Sequence, residues 1–235
     1  MNKSIKTIVR LNLRTIKAAY IALIAGIAAL ASSYISYIVM YNEGVDLSGN
    51  ENIGVGWAAW ALPVAAAIII PAMNFRRIVS LGGKRKNFFT GSLITYIILS
   101  LVSSLISTVI YFIESRYIAG SMLIDKIIGV PDAFGWSTNG PAVIFLQQFA
   151  FLFLTCAFIH TFVSAQGKWY GWASFIGALL VLCVFLPIDP LRNIVIGYAY
   201  IVLFNPNAFL QILACLVIGL GMYYLNKPIL ARKAI

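Results

Sequence analysis

Six apolar stretches dominate the sequence, and polar or charged segments of unequal length separate them. Most of the stretches reach or approach the length of about 20 residues that is needed to cross the hydrocarbon core of a bilayer. Their approximate bounds are 18–40, 56–73, 89–113, 141–165, 170–187 and 207–226. The pattern predicts an all-α integral membrane protein with six transmembrane helices. Little chain remains for a second unit, so residues 1–235 are assigned to one transmembrane domain.

Residues 3–17 have a different pattern, because charged side chains recur among them at spacings of three or four. Such spacings place residues on one face of a helix and leave the opposite face to the apolar side chains. The basic residues are Lys3, Lys6, Arg10, Arg14 and Lys17. We expect an amphipathic helix that lies along the membrane interface. The alternative is a basic flank without fixed structure.

Residues 190–205 are apolar but too few to cross a bilayer comfortably. Asp189, Pro190 and Arg192 interrupt the apolar pattern before them, and Asn205-Pro206-Asn207 interrupts it after them. If this segment did cross, the basic C-terminal residues would lie outside the cell. We therefore expect a re-entrant segment between the fifth and sixth spans. It should be shielded by other spans or by a partner subunit.

The charged residues separate by sign between alternate connections. One set of connections, together with both ends of the chain, holds 14 basic and no acidic residues, whereas the other set holds all 7 acidic and 3 basic residues. Because basic loops stay in the cytoplasm, both termini and the loop 74–89 are predicted to be cytoplasmic. The segment 114–140 is predicted to be extracellular, with a small surface helix within 124–130. The net charge of +10 then reflects topology and contact with anionic lipid headgroups rather than nucleic-acid binding.

The apolar stretches carry little that could support catalysis or ion coupling. His160 is the one histidine of the sequence, and no acidic residue lies within a predicted span. A metal-ligand cluster is therefore not expected, and a Ser-His hydrolase would also need a Gly-x-Ser-x-Gly turn, which the sequence lacks. No phosphate-binding loop of the form G-x-x-x-x-G-K-[ST] occurs either. We expect no enzyme activity, cofactor or metal on this chain, and a hydrogen bond from His160 to a neighbour.

The third span carries four serines at helical spacing: Ser100, Ser103, Ser104 and Ser107. Their hydroxyls would lie on one side of the helix. They could line a polar translocation path, or they could bond to the helix backbone and pack against a neighbouring helix. The second interpretation is favoured, because it is the commoner use of serine in membrane helices.

The connection between the second and third spans carries a motif. It reads Asn74-Phe75-Arg76-Arg77 and then Leu81-Gly82-Gly83-Lys84-Arg85-Lys86-Asn87-Phe88-Phe89-Thr90-Gly91-Ser92. This connection resembles that of the permease subunits of type 2 ABC exporters, especially small six-span ones from Gram-positive bacteria. In that family a leucine and a glycine precede basic residues, an aromatic pair and a small residue. The amphipathic N-terminal helix, the six spans and the re-entrant segment agree with the family.

The resemblance implies that residues 74–89 form a coupling helix, which docks on a separate ATPase subunit. Phe75, Phe88 and Phe89 would then insert into the ATPase as apolar plugs. The remaining members of the docking set would contact acidic groups or headgroups: Arg76, Arg77, Leu81, Lys84, Arg85 and Lys86. The working unit would contain two permease subunits, identical or homologous, and two ATPase copies that bind ATP and magnesium. The alternative for this stretch is a basic topology anchor without a docking role.

The family implies location in a bacterial cell membrane and outward transport. A permease interface of Ala, Ser, Leu, Phe and Tyr suits an amphipathic or apolar cargo, so the predicted function is ATP-driven export of a peptide, toxin or hydrophobic compound. Two other classes stay open. One is a non-transporting sensor or immunity protein, and the other is a stand-alone secondary carrier.

Overall fold

A computed structural model describes residues 3–43, 51–118, 126–166 and 169–232, and over these ranges the chain is almost entirely helical. The α-helices are α1 Lys3–Thr15, α2 Lys17–Asn42, α3 Ala58–Ile69, α4 Phe75–Ser80, α5 Arg85–Ile113, α6 Val130–Ala133, α7 Pro141–Ala165, α8 Trp169–Leu180, α9 Asp189–Val202 and α10 Ala208–Arg232. A 3₁₀ turn at Val55–Trp57 precedes α3, and π-helical turns follow α3, α5 and α8 at Ile70–Asn74, Glu114–Ile118 and Val181–Phe185. The predicted all-α class is confirmed.

Five helical stretches among the described residues are long and apolar enough to cross a membrane. They are Ala19–Met40, Val55–Ser80, Arg85–Tyr117, Pro141–Ala165 and Ala208–Leu230. A sixth candidate consists of Gly171–Phe185 and Asp189–Val202, which bend by 118° and form either one broken span or a re-entrant loop. Length and composition therefore indicate a multi-pass membrane protein with five to six crossings. The finer assignment of six spans and a re-entrant piece stays a prediction.

The bundle has two ends of different chemistry. The stretch Arg85–Tyr117 has 33 residues and so spans about 50 Å at 1.5 Å per residue. We call the end with Arg85 the basic end and the end with Glu114 the acidic end. The guanidinium of Arg85 donates to the carbonyl of Leu230 at 3.0 Å, which places the last turns of α10 at the basic end.

Helix α7 lies at the centre of the bundle and contacts α3, α5 and α10. It is the helix predicted over 141–165, and residues around its whole circumference are buried. Gly219 of α10 allows a close approach to α7: a Cβ there would lie 3.1 Å from the Phe153 ring and 3.2 Å from Cα of Leu154. Close packing through small residues drives helix association in lipid, so this glycine accounts for the extensive contact between α7 and α10.

Helix α1 covers most of the predicted segment 3–17, and its position at the membrane interface stays a prediction. Its basic residues are exposed, whereas Ile8 and Val9 on the other face are buried. Ile8 lies against Gly91 of α5. The apolar face of α1 therefore packs on the bundle rather than on lipid alone.

Proline does not end the helix in the second span. Pro71 has no N–H, and its ring would collide with the carbonyl of the residue four positions earlier. A π-helical turn at Ile70–Asn74 accommodates it, and the helix continues as α4. The loop predicted over 74–89 is therefore much shorter in the structure. Only 81–84 is non-helical, because α4 ends at Ser80 and α5 begins at Arg85.

Helices α8 and α9 form a bent arm at the side of the bundle. Val202 is buried, but most large apolar side chains of α9 are exposed, including Ile194, Tyr198 and Ile201. The segment predicted as re-entrant over 190–205 is thus helical for most of its length. The described part of the chain does not cover the exposed apolar side chains of this segment, although we expected other spans or a partner subunit to shield them.

Two polar connections meet at the acidic end. Strand β1, Glu51–Ile53, pairs in parallel with strand β2, Lys126–Ile128. The prediction of a long outer loop with a small helix within 124–130 needs correction. The helix of the third span extends to Ile118, β2 occupies most of the described part of 124–130, and the short helix α6 follows at Val130–Ala133.

Candidate functional site

A tight turn joins α4 to α5 at the basic end. Gly82 has φ +79°, and its N–H donates to the carbonyl of Val79 at 3.0 Å, while that of Gly83 donates to Ile78 at 2.9 Å. A left-handed glycine that reverses the chain is a common end for a helix. The turn leaves Leu81 with 78% of its surface exposed.

The predicted docking residues fall into three groups by exposure. The exposed members are Arg76, Arg77, Leu81, Lys84 and Lys86, and we call them the basic tip. Arg85 and Phe89 are partly buried. Phe75 and Phe88 have no exposed surface. The structure thus brings the basic residues and Leu81 together on a surface, but it does not present two of the three aromatic plugs.

The two buried aromatics hold the turn from inside. The rings of Phe75 and Phe88 meet edge to face, with centroids 5.4 Å apart. The guanidinium of Arg85 lies 6.0 Å from the centroid of the Phe75 ring, and Phe88 also stacks near His160 at 6.3 Å. Both phenylalanines belong to the main hydrophobic core. They position the basic tip without forming part of its surface.

A buried network of polar side chains ties α1 to the base of the tip. The amide of Asn74 donates to Oδ1 of Asn12 at 2.8 Å, and its own Oδ1 accepts from the Thr15 hydroxyl at 3.0 Å. The Asn12 amide donates to the Thr95 hydroxyl at 3.3 Å. Asn12 and Asn74 are both essentially inaccessible to solvent. The sequence analysis missed this network, since asparagines in helices carry no local signal for a partner elsewhere in the chain.

Between α1 and the basic tip lies a groove of about 600 Å³. Basic and apolar side chains line it together, among them Lys3, Leu11, Ile78, Leu81 and Lys84. The groove and the tip form one continuous surface at the basic end. Such a mixture of exposed apolar and basic groups is suited to a partner that carries acidic residues beside an apolar ridge.

His160 has the hydrogen-bonded environment that the sequence analysis expects. It is fully buried, and its Nδ1 lies 2.6 Å from the Tyr96 hydroxyl. Its ring stacks on that of Tyr223 with centroids 5.2 Å apart. The three residues, one each from α5, α7 and α10, form what we call the histidine layer. Tyr223 in turn donates to the carbonyl of Phe89 at 2.7 Å, so the layer joins the three helices near the basic end.

A second polar layer lies one helical turn closer to the basic end. Ser92 is four residues before Tyr96, Ser164 is four after His160, and Asn226 is three after Tyr223. All three side chains are buried. Within the described part of the chain, neither polar atom of the Asn226 amide has a hydrogen-bond partner. Buried polar groups of this kind require water or another partner.

The four serines of the third span are buried inside the bundle. Ser100 lies 3.9 Å from Sγ of Cys156 on α7, and Ser104 donates to the carbonyl of Leu101 in its own helix. Ser107 lies beside Gly56 at the start of the second span. These contacts agree with the packing interpretation. Whether Ser100, Ser103, Ser104 and Ser107 also line a translocation path stays a prediction.

Glu114 has a role at the acidic end that its predicted place in a loop did not suggest. It is 3% exposed, and its Oε1 accepts from the Tyr34 hydroxyl and from the Val55 N–H, each at 2.6 Å. The carboxylate therefore connects α2, the start of the second span and the end of the third. A carboxylate that accepts several hydrogen bonds can be held in a buried position.

Buried glutamines join α7 to its neighbours near the acidic end. The amide of Gln147 donates to Oε1 of Gln211 on α10 at 2.5 Å, and Gln148 donates to Thr108 of α5 at 3.2 Å. Gln148 also accepts from the indole of Trp60 at 3.2 Å. Polar groups therefore bond across helices at both ends of α7.

The side chains of the described residues form no group of three or more His, Cys, Asp or Glu that could hold a metal ion. Comparison with known proteins adds no identification, since no protein-family model, no curated protein and no solved structure matches the chain. Functional inference therefore rests on the residues and their geometry.

Proposed function

We propose that this chain is the membrane-spanning permease subunit of an ATP-driven ABC exporter, with ATP and magnesium bound by a separate ATPase subunit. The observation that carries the proposal is the basic tip. Leu81 is 78% exposed at the apex of a helical hairpin, and the other exposed side chains of the hairpin's docking set are basic. An exposed leucine ringed by cations is a docking feature rather than a packing feature.

The buried contacts beneath the basic tip could transmit a movement of the tip into the bundle. The tip is continuous with α5 and, through the buried Phe75 and Phe88, with the histidine layer in the bundle. The network around Asn74 fixes α1 to the same point. A pull on Leu81 would therefore move the second and third spans together. The motif resemblance described above supplies the class of partner, an ATPase present in two copies beside two permease subunits.

We also propose which way the chain is oriented, which class of cargo it moves and in which membrane it lies. The basic end faces the cytoplasm of a bacterial cell, because basic connections are retained there. The cargo is an amphipathic peptide, toxin or hydrophobic compound, moved outward at an interface between permease subunits. The exposed apolar arm formed by α8 and α9 gives such an interface a surface on this chain.

Co-purification tests the docking role. We expect the wild-type chain, isolated from its native membrane, to carry an ATPase chain with a phosphate-binding loop, and Leu81→Asp to lose it. Gln166→Asp is the matched control, because Gln166 is exposed and follows α7 at the same end of the bundle. Phe88→Asp is unsuitable, since this residue is fully buried and the change would disrupt the fold. An absent ATPase, or a Leu81→Asp chain that keeps it, contradicts the proposal.

Cysteine labelling tests the orientation. Cys183 is exposed whereas Cys156 and Cys215 are buried, so Cys183→Ser gives a quiet background. In it, Thr138→Cys at the acidic end should react with an impermeant maleimide on intact cells, and Ser80→Cys at the basic end only after lysis. Labelling of Ser80→Cys on intact cells would show that the basic end faces outward. A cytoplasmic ATPase could then not reach the basic tip, and the proposal would be wrong.

A stand-alone secondary carrier is the second candidate, and one observation favours it. His160 is an ionisable group fully buried inside the bundle, and ionisable residues that face the interior of a membrane bundle often mark proton pathways. A carrier would move substrate in vesicles under a proton gradient without ATP. Loss of that transport in His160→Gln, with the Gln166→Asp control unaffected, would favour the carrier over the ABC subunit.

A further inference from the structure

A separate pocket lies where α5 begins and α10 ends, at the basic end of the bundle. Its volume is about 450 Å³, and its lining residues are Arg85, Lys86, Phe89, Lys227 and Leu230. That volume lies within the range of small-molecule sites. Three of the five lining side chains are basic and none is acidic.

Two hydrogen bonds hold the walls of this pocket together. Arg85 donates to the carbonyl of Leu230 at 3.0 Å, and the Tyr223 hydroxyl donates to the carbonyl of Phe89 at 2.7 Å. The rings of Phe89 and Tyr223 also pack with centroids 4.6 Å apart. The pocket is thus a fixed feature of the contact between two spans, and not a gap between mobile surface side chains.

No acidic residue lies close in the sequence to the three basic residues of the pocket. All seven acidic residues of the chain belong to the other set of connections. Glu114, the acidic residue on the same helical stretch as Arg85, lies about 40 Å along it by helical rise. The first turn of α5 contributes Arg85 and Lys86, so the positive end of the helix dipole adds to the field. No acidic side chain of the described residues lines the pocket, so the pocket is suited to an anionic ligand.

The apolar part of the pocket narrows the class of anion. Phe89 is partly buried and Leu230 is almost fully buried, so they form an apolar wall beside the three cations. Tyr224 and Leu225 of α10, just above this level, each expose 59% of their surface on a helix that is long enough to cross a membrane. A ligand that suits the pocket has a charged head for the cations and apolar chains for the neighbouring helix surface.

A buried polar residue of α10 lies one helical turn from the pocket, outside its lining. Asn226 is four residues before Leu230 and so lies on the same face of α10, one turn deeper. It is fully buried, and its amide has no hydrogen-bond partner in the described part of the chain.

We propose that this pocket binds the phosphate headgroup of an anionic phospholipid of the leaflet at the basic end. Arg85, Lys86 and Lys227 contact the phosphate, and the acyl chains lie along α10 beyond Phe89. Basic pockets between transmembrane helices are an established way to recognise anionic lipids. The bound lipid fastens the first turn of α5, next to the turn that carries Leu81, to the last turn of α10.

Lipid titration tests the proposal on the full chain without any ATPase. Phosphatidylglycerol is titrated into delipidated protein in detergent, and bound lipid is counted by native mass spectrometry. The pocket variant is the double change Lys86→Gln and Lys227→Gln, both at exposed residues, so the fold is retained. The matched control is Lys6→Gln with Arg10→Gln, which removes two exposed charges from α1 at the same end.

We expect the pocket variant to bind phosphatidylglycerol roughly tenfold or more weakly, since each basic residue near an anionic lipid surface contributes about a fivefold factor. The control variant should lose clearly less binding than the pocket variant, because Lys6 and Arg10 lie on the exposed face of α1 and do not line the pocket. Lys227→Arg keeps the charge and should retain binding. Equal binding by the pocket variant and the wild type, or equal loss in the control variant, contradicts the proposal.

Two further measurements distinguish an anionic lipid headgroup from other sources of phosphate. Phosphatidylcholine has the phosphate but no net charge, and binding as tight as that of phosphatidylglycerol would show that headgroup charge is not recognised. Inorganic phosphate that displaces the lipid and stabilises the protein equally would make the site one for free phosphate. Neither measurement involves an ATPase or a transport step. A negative result for lipid binding therefore does not contradict the proposed export function, and loss of the export proposal does not contradict lipid binding.

Discussion

The centre of the bundle and the α8–α9 arm have similarly apolar sequences, yet their burial is opposite. In α7 residues on every side are buried, and polar groups such as Gln147 and His160 bond to neighbouring helices. In the arm the large apolar side chains are mostly exposed. Apolar composition therefore determines that both regions are compatible with a membrane. The buried polar pairs of α7 distinguish it from the arm and join it to the neighbouring helices.

The comparison also separates two uses of a membrane helix. The centre supplies its own packing partners, so its stability is a property of this chain. The arm leaves a surface for lipid or for a second subunit, and its stability depends on what covers it. Substitutions in the two regions should therefore differ strongly in their effect on the isolated chain.

The largest expected effect is from Phe88→Ala, which empties a site in the centre. The side chain is fully buried between Phe75 and His160, and its removal should lower the free energy of unfolding by about 4 kcal/mol. Unfolding in detergent, followed by circular dichroism, measures the change. Leu81→Ala on the exposed tip is the control and should change stability by less than about 0.5 kcal/mol. Equal effects of the two substitutions would show that Phe88 is not a core residue.

An intermediate effect is expected from Asn74→Ala, which removes two buried hydrogen bonds at once. Asn12 loses a donor and Thr15 loses an acceptor, so the cost should be about 2 kcal/mol. The same unfolding measurement applies, with Ser80→Ala on the exposed side of the tip as the control. Faster proteolysis within α1 should accompany the loss, because this network fixes that helix. Unchanged stability and protection would contradict the role given to Asn74.

The smallest effect is expected from Ile194→Ser in the arm. This side chain is 61% exposed, so the isolated chain should lose less than about 0.5 kcal/mol of stability. Val202→Ser, on the same helix but 2% exposed, is the comparison and should cost about 2 kcal/mol. A large loss for Ile194→Ser in the isolated chain would show that the arm packs within the chain, and the contrast with the centre would disappear.

Local pattern was enough to predict much of this fold. Helix α7 has the predicted bounds because an apolar run there is flanked by Gly140-Pro141 and by Gln166, which are clear boundary signals. Helix α1 followed from the regular spacing of its basic residues, which makes two faces. The two features share a cause, since each is decided by residues within a few turns of one another.

Features that depend on distant partners were not predicted. The predicted second span ends at residue 73, but the π-helical turn around Pro71 and the helix that begins at the buried Phe75 continue it to Ser80. Glu114 was assigned to a loop, although Tyr34 and Val55 hold it in place from other parts of the chain. The aromatic residues of the motif gave no sign of whether they would face a partner or the core. That choice depends on the packing of α5 against α7.

The parallel pairing of β1 and β2 has a consequence for biogenesis. Parallel strands need a crossover connection, and here the crossover consists of the second and third spans. The ladder cannot close until Val55–Ser80 and Arg85–Tyr117 have both been made and have folded back on each other. Before that moment both strand edges are unpaired and open to other strands. The pairing of β1 with β2 at the acidic end therefore follows the folding of the helical hairpin that carries Leu81 at its opposite end.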